Sequence, residues 1–105
     1  MNWQPAAALR VVRERARAYL QIRAFFNTRG YLEVETPILM PTTSTDVHIG
    51  SLETSCAGRR LFLQTSPEYA MKRLLAAGSG SIFQIGHAFR QDEQGRLHNP
   101  EFSLL

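Results

Sequence analysis

Two glycine-closed turns, Arg29-Gly30 and Gly78-Ser79-Gly80, each hand a helix-period pattern over to an apolar strand run, which confines the chain to a mixed α+β fold. From about Ala6 to Thr28, the residues Leu9, Val12, Ala16, Tyr19, Leu20, Arg23 and Phe26 recur at spacings of three and four. That periodicity predicts one long helix with this stripe facing inward and the other arginines largely opposite. Tyr31 to Thr36 then alternates apolar and polar, a strand pattern that Pro37 stops. The Thr/Ser-rich stretch from Pro41 to Asp46 reads as a surface loop. Val47 to Thr54 and Leu61 to Thr65 read as short strands joined through Ala57-Gly58-Arg59-Arg60. Ser66-Pro67-Glu68 marks a second helix start. Ser66 is placed to cap orphan amides, Pro67 suits the first helical position, and Glu68 meets the positive end of the dipole. Tyr69, Met71, Leu74 and Leu75 supply its packing face. Ser81 to Arg90 follows as a strand, or a strand with a bulge near Gly86.

At 105 residues the chain has room for a single domain, with no interior boundary or repeat. Net charge is +3, and Arg10, Arg13, Arg15, Arg17 and Arg23 crowd the first helix against Glu14 alone. Such a balance suits nucleic acid or an anionic substrate, and equally a solvated helix face. The single cysteine, Cys56, cannot form an internal disulfide, which favours a reducing, cytoplasmic setting, and its neighbours offer no base to make it a nucleophile. No stretch approaches the ~20 apolar residues a membrane span requires, and the beginning lacks the pattern of a secretory signal. The arginine-rich start superficially resembles a transit peptide, but the same helix runs into the later patterns without a linker. With scattered histidines, His48 and His87 among them, a protein-held transition-metal site is not expected.

The densest chemistry lies between Phe89 and Phe102. Arg90, the carboxylates of Asp92 and Glu93, a turn containing Gly95, then Arg96, His98, Asn99 and Phe102 fall within fourteen residues. Guanidinium groups pair with phosphate oxygens in a two-pronged geometry, polar groups can read a purine amine, and a phenyl ring can stack on the base. As residue types alone, the run also fits a plain hairpin with a charged tip. The order of the groups favours a nucleotide site: an arginine at a strand end, a basic turn, and His98 through Phe102 entering the return strand.

In that order the run resembles motif two of the class II aminoacyl-tRNA synthetases, in their lysine branch, where Phe-Arg-x-Glu, a loop and His-Asn-Pro-Glu-Phe hold ATP. Arg29 to Pro37 resembles motif one, a long helix leading into a strand that ends at proline and builds a dimer interface. With Ser66 to Leu74, the similarity runs from Leu9 to Leu105. His98-Asn99-Pro100-Glu101-Phe102 carries most of its specificity. Thr45-Asp46-Val47-His48, Thr65 to Tyr69 and Gly95 to His98 look like the shorter paralogues in this branch, which attach lysine or (R)-β-lysine to a lysine of elongation factor P. The resemblance implies a partial class II synthetase catalytic fold, an antiparallel sheet flanked by helices. Residues 1–105 would form its N-terminal part.

The resemblance also implies roles. Arg90 would grip the α-phosphate during attack by the substrate carboxylate. Arg96 and His98 would hold the outer phosphates, Asn99 and Asp92 would face the nucleotide and its Mg2+, and Phe102 would stack on adenine. Glu68, aided by Ser66, would pair with a substrate ammonium. One departure stands out: Asp92 occupies the position of the family's glutamate, and its side chain reaches less far. The third motif is absent, so this piece alone is expected to show no ligase activity. A lysyl-tRNA synthetase acting on tRNA is the near alternative. A non-catalytic module that dimerises or binds RNA through the arginine-rich helix is the distant one.

Overall fold

The computed structural model describes residues 3–42, 50–91 and 99–105. The expected strand from Val47 and the loop through Asp46 therefore lie partly outside the described residues, as does His48. Among the described residues, one helix is followed by four short strands and a second helix by three more, a mixed helix-and-sheet arrangement.

The first helix, α1, spans Leu9–Thr28. It starts three residues later than the periodicity predicts, because Ala8 occupies the cap and neither Ala6 nor Ala7 offers a side-chain acceptor to pin an earlier turn. Its end follows the expectation closely. Gly30, at φ 78°, turns the chain so that its amide donates to the Asn27 carbonyl and the Tyr31 amide to the Phe26 carbonyl. The Phe26 and Tyr31 rings meet 5.1 Å apart across this closure.

The buried side of α1 is rotated from the predicted stripe. Tyr19, Ile22, Arg23 and Phe26 are half-buried, whereas Leu9, Val12 and Leu20 are exposed. The rotation follows from what the helix end packs on. Phe26 stacks on Phe83 at 4.6 Å, Arg23 pairs with Glu33, and Arg15 donates to Ser103 on the last strand.

Two strands then extend the chain, β1 at Leu32–Glu33 and β2 at Leu39–Met40. The alternation from Tyr31 to Thr36 thus yields only a short pairing, and it is parallel, to β5 at Ile82–Phe83. The expected antiparallel pairing holds in the other two sheets. β2 lies against β4 (Arg59–Leu63), which also pairs with β3 (Glu53–Cys56). Arg59 and Arg60 belong to β4 and not to the connection. Ala57 and Gly58 both take positive φ, which makes a two-residue turn and brings Cys56 opposite Arg59. Arg60 ion-pairs with Glu53 and holds that carboxyl below its ordinary range, chiefly through the hydrogen bond.

The second helix, α2, covers Glu68–Ala76, and Gly78 at φ 94° closes it in the same way as Gly30 closes α1. Pro67 stands at the cap and not at the first helical position. Ser66 still accepts an orphan amide, that of Glu68, at 3.2 Å. The stretch from Ser81 to Arg90 is split between sheets: β5 joins β1, while β6 (Gly86–Phe89) pairs with β7 (Glu101–Leu104). The Gln64 side chain and backbone stitch these pieces together, donating to the His87 carbonyl and accepting from the Phe89 amide. Phe83 and Ala88 form the buried apolar centre, with Thr36, Gln64, Thr65 and Gln84 as buried polar partners. No described helix is long and apolar enough to cross a membrane.

Candidate active site

The β6–β7 hairpin sets the geometry. In its register Ala88 faces Phe102 and Gly86 faces Leu104, so these residues share one face of the ribbon. Arg90 follows β6, and its amide donates to the Pro100 carbonyl, closing the ladder one step beyond Phe89–Glu101. The Arg90 guanidinium lies over the Phe102 ring, 5.1 Å from its centroid. Arg90 Nε also donates to the Thr65 carbonyl at 3.2 Å. A guanidinium anchored through Nε keeps both terminal nitrogens free in direction, the arrangement a phosphate oxygen pair requires.

Thr65 joins this hairpin to the start of α2. The next residue, Ser66, lines an open cleft of about 670 Å³ together with Glu68, Met71, Gln84, Phe26 and Leu104. Leu104 alternates with Ser103 and so lies on the Phe102 face of β7. Arg90, Phe102, Ser66 and Glu68 are thereby brought to one region, two at the hairpin and two along the adjoining cleft. The cleft wall is mainly apolar, with Ser66, Glu68, Lys72 and Gln84 as its polar points. It can accept an aliphatic chain that carries a charged end.

Glu68 already seats an ammonium. Its Oε1 lies 2.8 Å from Lys72 Nζ one turn on, and that hydrogen bond, then its charge, raises the Lys72 pKa. Any ligand ammonium at Glu68 would share the carboxylate with Lys72 or displace it. Ser66 has its hydroxyl engaged with the Glu68 amide, so its capping role is visible directly.

Asn99 is exposed just ahead of β7. Asp92, Arg96 and His98 lie outside the described residues. Magnesium would arrive on the triphosphate, and of the residues expected to face it, Asn99 stands at the mouth of the hairpin. His87 sits on the opposite face of the ribbon from Phe102, its Nδ1 2.9 Å from Glu101 Oε2.

Sequence reasoning missed three contributors. The Thr65 carbonyl that anchors Arg90 left no sequence signal, because a main-chain acceptor belongs to every residue type. Gly50 is the second. Its carbonyl accepts from the Gln91 amide, and a methyl there would stand 2.8 Å from the Gln91 carbonyl oxygen, so the segment before β3 approaches the hairpin closely. Gln84 is the third, and it did leave a trace as a polar residue within the apolar run Ile82-Phe83-Gln84-Ile85.

Comparison with known proteins adds ancestry to this geometry. The chain is 51% identical over 110 residues to the elongation factor P–(R)-β-lysine ligase of Pasteurella multocida (strain Pm70), covering 99% of this chain and 34% of that protein. The proteins of the same name from Photorhabdus laumondii subsp. laumondii and Yersinia enterocolitica are 52% and 50% identical, with the same coverage. The chain thus spans about a third of the length of the curated relatives it matches. The profile of the family described as tRNA synthetases class II (D, K and N) matches residues 2–105. The chain belongs to that family of class II tRNA synthetases.

Proposed function

We propose that this chain is the nucleotide-gripping part of an ATP-dependent ligase that activates lysine or (R)-β-lysine as an adenylate and transfers it to a lysine of elongation factor P. The observation that carries this reading is the Arg90 guanidinium, anchored on the Thr65 carbonyl and set over the Phe102 ring. The relatives' names support the substrate and acceptor, and the family membership supports ATP with Mg2+.

The chemistry asks little of acid–base groups. A substrate carboxylate is ionised near neutral pH and attacks the α-phosphorus as it stands, expelling pyrophosphate. What the protein supplies is alignment and neutralisation of the charge that builds on the phosphoryl oxygens. Arg90 provides the charge, Phe102 the platform for adenine, and Glu68 a counter-charge for a substrate ammonium in the adjoining cleft. Asp92, Arg96, His98 and Asn99 complete the phosphate and base contacts in this reading, and Ser66 contributes its hydroxyl beside the amino acid. The exposed apolar flank of α1, Leu9, Val12 and Leu20, suits pairing with a second copy. A ligase acting on elongation factor P would work in the cytoplasm, and that is the setting this reading proposes.

The acceptor test is direct. The whole gene product, given radiolabelled lysine or (R)-β-lysine with ATP, is expected to label elongation factor P and leave tRNA uncharged. Charging of tRNA without labelling of the factor would establish the lysyl-tRNA synthetase reading in its place.

A further inference from the structure

Arg15, Tyr19 and Arg23 stand one turn apart along α1, so their side chains line a single face of the helix. Arg23 Nε donates to both carboxylate oxygens of Glu33 on β1, at 3.1 and 3.2 Å. Its guanidinium carbon lies 5.7 Å from the centroid of the Tyr19 ring, and that of Arg15 lies 4.9 Å from it. One terminal nitrogen of Arg15 then donates both to the Tyr19 hydroxyl and to the Ser103 hydroxyl of β7. A continuous file of contacts thus joins β1, α1 and β7. Two guanidinium groups at one ring repel each other, and Glu33 neutralises the first. The second is held by two hydroxyl oxygens, which a rigid planar fork can reach together.

Ser103 stands between Phe102 and Leu104 but on the other face of the strand, opposite His87 across the ribbon. The rear of the hairpin is thereby engaged through its polar side chains, His87 with Glu101 and Ser103 with Arg15. The front carries Phe102 beneath the Arg90 guanidinium. The bond from Arg15 spans 88 residues of sequence to tie the first helix to this last strand.

We propose that Arg15 is a positioning residue of the nucleotide site, holding β7 from behind through Ser103 and so fixing the Phe102 ring where adenine stacks. The inference rests on the ATP-dependent reading above and gives α1 a part in binding the nucleotide. Arg15 acts through the strand and does not itself touch the base. The cleft beside Ser66 keeps Phe26 of α1, Met71 of α2 and Phe83 of β5 as walls, so an amino acid there does not depend on Ser103. The base platform is a single ring on β7 and has no such reserve.

The test is ATP–pyrophosphate exchange driven by lysine or (R)-β-lysine, with the whole gene product as wild type, Arg15→Ala, Ser103→Ala, the double variant and Arg17→Ala. Arg17, exposed two residues on, is the control for charge, since its removal takes the same charge from α1. In Arg15→Ala and in Ser103→Ala the KM for ATP is expected to rise roughly 3- to 10-fold, as loss of one hydrogen bond implies. The double variant should be no worse than either alone, because both changes remove one contact. The kcat and the KM for the amino acid should stay within about 2-fold, as should every constant in Arg17→Ala. An unchanged ATP KM in either single variant, a double variant showing the product of the two effects, equal rises in both KM values, or an equal rise in Arg17→Ala each overturns the proposal and leaves the ligase reading standing. If Arg15→Ala does not fold, Ser103→Ala decides by the rise in ATP KM or its absence. Wild type without exchange would overturn the ligase reading itself, and this proposal with it.

Discussion

At the scale of single residues, the site depends on Phe102 being both a floor for Arg90 and a platform for a base. Replacing Phe102 with Leu keeps apolar packing against Ala88 but removes the flat face. Stacking of a base on an aromatic ring is worth about 1–3 kcal/mol, so the KM for ATP is expected to rise roughly 5- to 150-fold with kcat nearly unchanged. Phe102→Tyr should stay close to wild type. Initial-rate kinetics over ATP concentration separate the two, and equal KM values for Leu and Phe would remove adenine from this ring. That Arg90 and Phe102 share a cleft was expected from the motif-two resemblance, whereas the register that puts both on one face of the hairpin had no signal in the sequence. Nor had the anchoring of Arg90 on Thr65, since it joins residues 25 apart through a carbonyl.

At the scale of elements, the glycines report which local signals are decisive. Gly30 holds φ 78° with nothing near the site of a Cβ, so Gly30→Ala meets only the left-handed backbone penalty. It should lower stability by about 1 kcal/mol, read as a drop in Tm with kinetic constants preserved. Gly50→Ala differs in kind. Its methyl would press on the Gln91 carbonyl oxygen at 2.8 Å, next to Arg90 in sequence, and backbone must shift to relieve it. We expect Gly50→Ala to raise the KM for ATP as well as lower Tm, while Gly30→Ala does the second alone. The helix ends and the Ser66-Pro67-Glu68 start were readable because each is settled within a few residues. The split of Ser81 to Arg90 between two sheets was not, because β5 chooses a parallel partner 50 residues away, Leu32, while β6 takes β7.

At the scale of the whole molecule, the unburied side of α1 is what a local pattern could not place. Periodicity identified an apolar stripe, but Phe83, Glu33 and Ser103 decide which flank turns inward, leaving Leu20 at 68% exposure and Leu9 at 61%. A second copy covering that flank would explain why such residues stand there. Sedimentation of the whole gene product should then show dimer, and Leu20→Glu should shift it toward monomer. Monomer alone at high concentration would count against the pairing. The central claim concerns the guanidinium above Phe102, and ATP–pyrophosphate exchange driven by lysine or (R)-β-lysine tests it most directly, comparing wild type with Arg90→Ala. Exchange should fall on the order of 10³-fold in Arg90→Ala while Tm is preserved, because a charge aimed at the developing phosphoryl oxyanion is lost. Exchange by Arg90→Ala at the wild-type rate would contradict it.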